Sequence, residues 1–115
     1  MKFLIIVNES PWGSSLAVTA FRLVRALLEG NAEIAAVFFR RDGVYHAQPG
    51  RVVDSGTPGL SDEWQSLAGP AGFPLLVCSS AAQRRMQEPP GGAYREAGLA
   101  ELMAIMASSD RVVTF

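Results

Sequence analysis

Apolar residues fall in two rhythms along this chain, and their succession predicts a fold. Phe3 to Val7 and Ile34 to Phe39 are unbroken apolar runs of strand length, the pattern of strands buried on both faces of a mostly parallel sheet. Between them Ala17, Ala20, Phe21, Val24, Leu27 and Leu28 recur at helical spacing, with Arg22, Arg25 and Glu29 off that stripe. Gly30-Asn31 closes the helix. Strand, helix and strand in succession predict a βαβ unit with a right-handed crossover.

The second half repeats the alternation in shorter pieces. Ser61 is placed to cap a helix with Asp62 and Glu63 in its first turn, Trp64 and Leu67 facing inward, and Gly69-Pro70-Ala71-Gly72 ending it. Pro74 leads into a short buried strand, Leu75 to Val77. Ser79 or Ser80 then caps a helix over Ala81 to Met86. Glu88-Pro89-Pro90-Gly91-Gly92 breaks the chain. Leu99, Leu102, Met103 and Met106 give the next helix its core stripe, and Arg111 to Phe115 forms a last strand. The stretch from Pro49 to Leu60, with Pro49-Gly50, Ser55-Gly56 and Pro58-Gly59, reads as a long functional loop or a partly disordered segment.

Composition narrows the class. A chain of 115 residues has room for one domain, and 49% hydrophobic with 18% charged residues is the balance of a folded globular protein. A net charge of -1 supplies no field to recruit nucleic acid or an anionic membrane. The single cysteine excludes an internal disulfide framework and fits a reducing compartment. The apolar start ends at Asn8-Glu9, far short of a membrane span. A cytoplasmic protein is the expectation.

The candidate chemistry centres on that cysteine, Cys78. It stands at the carboxyl end of a strand, just before a helix, where open α/β sheets place their ligands. A helix N-terminus favours thiolate over thiol and makes the sulfur nucleophilic. The alternative is a small buried hydrophobe that finishes the strand. Gly13-Ser14-Ser15 lacks the spacing and the lysine of a phosphate-binding loop and reads as a turn with a helix cap. His46, the only histidine, cannot build a metal site alone; a surface or loop-anchoring role is expected, and its sheet edge makes it a candidate neighbour of Cys78. Arg84 and Arg85 read as solvated charges or partner contacts. No metal or cofactor is implied.

Four stretches together resemble the DsrE-like sulfur-relay family, in particular its branch serving tRNA 2-thiouridine synthesis. They are Met1 to Val7 with the turn Pro11-Trp12-Gly13; Val37 to Ala47, where Phe38-Phe39 leads to Asp42-Gly43-Val44-Tyr45; Val77 to Arg85 around the cysteine; and Ser109 to Phe115. Met86 stands where that branch has glycine, His46 where it has asparagine, and the segment from Glu88 to Glu101 is shorter. The resemblance implies one domain over residues 1–115, a three-layer α/β sandwich with a mostly parallel five-stranded sheet flanked by helices. It implies a sulfurtransferase whose Cys78 accepts sulfane sulfur as a persulfide and hands it to a carrier protein, with Ser79, Ser80, Tyr45 and His46 as possible site neighbours. It further implies paralogous subunits and a homo- or hetero-oligomer, with no direct nucleic-acid contact and no membrane. Two other functions stand beside this one. The first is a non-catalytic structural subunit; the second is a small-molecule-binding domain walled by Trp12 and Tyr45.

Overall fold

Five strands among the described residues pair in one sheet, every pairing parallel, in the order β4-β3-β2-β1-β5. They are β1 (Lys2–Val7), β2 (Glu33–Phe39), β3 (Leu75–Cys78), β4 (Tyr94–Ala97) and β5 (Arg111–Thr114). The computed structural model describes residues 1–12, 15–49 and 59–115. The turn residues Gly13 and Ser14 and most of the 49–60 stretch thus lie outside the described residues. Helices α1 (Ser15–Glu29), α2 (Leu60–Ala71), α3 (Ser79–Arg85) and α4 (Leu99–Ser108) join the strands, and a 3₁₀ segment (Arg41–Ala47) follows β2.

Strand alternation divides the core in two. Ile5, Val7, Val37, Phe39, Leu75 and Val77 face α1, α2 and α3, where Trp64 packs edge-on against Phe21 and Phe39. Leu4, Ile6, Ala36, Phe38 and Leu76 face the other way, toward Leu102 and Ile105 of α4. The result is the expected three-layer α/β sandwich.

The structure departs from the sequence pattern at one strand, one helix face and two helix starts. The residue pattern showed no strand between the Pro-Pro-Gly-Gly break and α4, yet β4 lies there. Its central Arg95 and Glu96 are exposed because β4 is an edge strand, paired among the described residues with β3 alone, and charge protects such an edge from further pairing. Tyr94 anchors it, donating its hydroxyl to the Ser61 carbonyl at 2.8 Å, while burial pushes the phenol pKa well up. The stripe assigned to the core of α4 is mostly outside: Leu99, Met103 and Met106 are 65%, 61% and 41% exposed, and only Leu102 of the four is buried. One helix lying on a sheet face buries a narrow strip, here Leu102 with Ile105, and the neighbouring apolar positions stay in solvent.

The helix boundaries also move. α2 starts at Leu60 with Gly59 as cap and passes through Pro70, stopping where Gly72 turns left-handed at φ 79. α3 starts at Ser79, two residues early, so the capping position falls on Cys78 itself.

Candidate functional site

Parallel strands bring all their carboxyl ends to one edge of the sheet, and three segments meet there: the loop after β1, the 3₁₀ segment after β2 and the start of α3. Backbone hydrogen bonds lock the first two together. The Arg40 amide donates to the Val7 carbonyl (2.9 Å), and the Gly43 amide to the carbonyls of Asn8 (3.1 Å) and Arg40 (2.8 Å). The approach is so close that a Cβ on Gly43 would sit 2.1 Å from the Val7 carbonyl oxygen. Only glycine fits here, which gives the Gly-Val-Tyr motif a structural reason.

His46 completes this lock. It is fully buried, with Nε2 3.1 Å from the Glu9 carbonyl and its ring 4.9 Å from that of Phe39. Of the two roles read from the sequence, loop anchoring fits and a surface position does not. Its neighbour Tyr45 is half-buried and packs its ring on Trp12, centroids 5.2 Å apart at 46°. The two aromatics named as possible walls of a pocket therefore touch each other.

Cys78 closes β3, paired with Ala97 of β4, and caps α3 with φ -58 and ψ 116. It is half-buried, and its Sγ lies 3.5 Å from the Ser80 hydroxyl oxygen. Burial pushes the thiol pKa up. The Ser80 hydroxyl, the backbone amides of Ala81 and Ser80 and the charge of Arg40 together outweigh it, and the pKa lies below its ordinary value. Hydrogen bonds to an anion favour the ionised form, so the thiolate is the form this pocket stabilises. The adjacent Ser79 is half-buried.

Two arginines near this edge differ in what they do. Arg85, read as a solvated charge or partner contact, pairs with Asp42 of the 3₁₀ segment. Arg40 was not singled out in the sequence, yet its charge acts on the sulfur. No local signal marks it, because its place beside Cys78 depends on the register between two strands far apart in sequence. A cleft of about 300 Å³ lies at the other end of α3, lined by Gln48, Pro49, Arg85, Met86, Gln87 and Glu88, and Cys78 is not part of it. No cluster of metal-binding side chains occurs among the described residues, and no described helix is long and apolar enough to cross a membrane.

Comparison with known proteins is consistent along the whole chain. The model of the DsrE/DsrF-like family matches residues 1–115. A sulfurtransferase TusD homolog of Vibrio vulnificus (strain CMCP6) is 31% identical over 128 positions, covering 100% of this chain and 98% of the relative. A sulfurtransferase TusD homolog of Pasteurella multocida (strain Pm70) is 32% identical over 124 positions, covering 98% of each. Among solved structures, the crystal structure of the ychN protein from E. coli matches with a TM-score of 0.84 at 24% identity, covering 99% of this chain and 98% of that one. That last likeness speaks for the fold alone.

Proposed function

The chain belongs to the DsrE/DsrF-like family, and from that premise we propose that it is a sulfur-relay sulfurtransferase whose Cys78 accepts sulfane sulfur as a persulfide and passes it to a partner carrier protein. The observation that carries this reading is the setting of Cys78: a half-exposed thiol at the carboxyl edge of a parallel sheet, among hydrogen-bond donors that favour its anion. A structural cysteine that merely finishes a strand has no use for such donors.

The chemistry is thiol exchange without net oxidation. The Cys78 thiolate attacks the outer sulfur of a donor persulfide, R–S–SH. A sulfur–sulfur bond forms at Cys78, the donor's sulfur–sulfur bond breaks, and R–S⁻ leaves. The product, Cys78–S–SH, gives its outer sulfur to the acceptor cysteine by the same exchange. One thiol suffices, because donor and acceptor supply the others. In this reading Ser80 is the hydroxyl donor to the sulfur, Ser79 flanks it, and Tyr45 and His46 hold the neighbouring wall of the sheet edge.

The working form is an oligomer, with copies of itself or with paralogous subunits, acting in the cytoplasm on protein carriers. The relay serves tRNA 2-thiolation or sulfur oxidation, and other subunits make any contact with RNA. Intact mass after incubation with a persulfide donor tests the reading. Wild type should gain the mass of one sulfur atom and Cys78→Ser should gain nothing; equal loading of the two would overturn it.

A further inference from the structure

β2 and β3 run side by side with Phe39 opposite Val77 as their last paired position. The next residues are Arg40 and Cys78. Arg40 keeps extended backbone angles, φ -121 and ψ 166, so strand alternation continues through it. Phe38 and Leu76 share one face of the sheet, and strand alternation carries Arg40 and Cys78, each two residues further on, to that face, with Cys78 at its strand's end touching the apolar clusters of both faces. An arginine and the single cysteine thus end adjacent strands at the same level.

Three cations of the sheet and its carboxyl edge are paired within the protein. Lys2 pairs with Glu33, Arg85 with Asp42 and Arg95 with Glu101. Arg40 is half-buried and has no carboxylate within ion-pair distance among the described residues. A guanidinium keeps its charge throughout the working pH range. A partly desolvated cation without an internal counter-ion is a ready place for an anion from outside.

We propose that Arg40 is the anion-positioning residue of the sulfur site, drawing negatively charged sulfur donors to Cys78 and holding the charge of the persulfide formed there. The persulfide product loses a proton to solvent, giving Cys78–S–S⁻ beside the guanidinium. The charge that leaves on R–S⁻ is replaced on the protein, and Arg40 faces an anion before and after transfer. Its role in sulfur transfer rests on Cys78 being the carrier, as proposed above, but the charge preference of the thiol can be measured without any sulfur donor.

The experiment compares alkylation of Cys78 by iodoacetate, which is anionic, and iodoacetamide, which is neutral, with the same leaving group. The ratio of the two rates cancels any change in thiolate fraction. In wild type at low salt this ratio should exceed that of an unstructured cysteine peptide by about three- to tenfold, the size of a screened interaction between unit charges at a few ångströms. Arg40→Gln should bring it down to the peptide value, Arg40→Lys should keep most of it, and about 0.5 M NaCl should reduce it in wild type. A wild-type ratio equal to the peptide's, or unchanged in Arg40→Gln, would overturn the proposal. Should Arg40→Gln fail to fold, the wild-type ratio and its salt dependence still decide. Absence of persulfide loading with the charge preference intact would instead overturn Cys78 as carrier and leave Arg40's preference standing.

Discussion

Arg85 of α3 holds Asp42 of the 3₁₀ segment, Nε to Oδ1, at 2.9 Å. The pair ties the helix that follows Cys78 to the segment that follows β2, across the mouth of the sheet edge. It also explains how two nearby arginines part company, since Arg85 is neutralised within the protein and Arg40 is not.

The pair itself contributes little to stability. Asp42 is 63% exposed and solvent screens the attraction. A double-mutant cycle with Arg85→Ala and Asp42→Ala should give a coupling of about 0.2 to 1 kcal/mol by urea denaturation. A coupling several times larger would mean that the 3₁₀ segment depends on the pair for its fold.

Gly43 is a different matter. An alanine methyl at that position would meet the Val7 carbonyl, a backbone atom that cannot swing aside. Gly43→Ala should therefore cost about 2 to 3 kcal/mol, as overpacking against rigid neighbours does. A lower urea midpoint at unchanged slope is the expected reading. A midpoint equal to wild type would show that the 3₁₀ segment moves away from β1 without cost.

Much of the fold was legible because four strands and the helices follow strong apolar rhythms. β1, β2 and β3 lie inside the sheet, so their sequences are continuously apolar, whereas β4 is an edge and carries Arg95 and Glu96 where a buried strand would carry valine. Periodicity located a helix at α4 but could not say which stripe lies down, because most of its faces are apolar. At the site, the place of Cys78 could be read from a strand running into a helix. Arg40 could not, since its meaning depends on the register between two strands far apart in sequence. The burial of His46 was equally hidden, because nothing local marks a polar ring whose partner is a distant backbone carbonyl.

The orientation of α4 separates core from surface in a way mutation can check. Leu102 is 3% exposed and packs against the Phe38 face of the sheet, so Leu102→Ala should cost about 2 to 5 kcal/mol. Met103→Ser changes a side chain that is 61% exposed and should stay within about 0.5 kcal/mol of wild type. Thermal melts of the two variants should differ widely. Equal destabilisation would restore Met103 to the core, or show it covered by a second subunit in solution.

The acid–base behaviour of Cys78 follows from the direction of its pKa. Burial favours the neutral thiol, while the Ser80 hydroxyl, the Ala81 and Ser80 amides and Arg40 favour the thiolate and prevail. A lowered pKa means that the thiolate fraction rises at lower pH than for an ordinary cysteine. Because only the thiolate is nucleophilic, the pH profile of iodoacetamide alkylation should have its midpoint below the free-thiol value of about 8.5. Ser80→Ala removes a hydrogen bond to the anion and leaves the amides in place, so its midpoint should move up but remain below that of Arg40→Gln combined with Ser80→Ala. His46→Ala should leave the thiol's midpoint where it is if the ring serves only to anchor the Glu9 loop, provided the variant still melts cooperatively. A wild-type midpoint at or above the free-thiol value would show that burial dominates, and Cys78 would then be a structural residue that ends a strand.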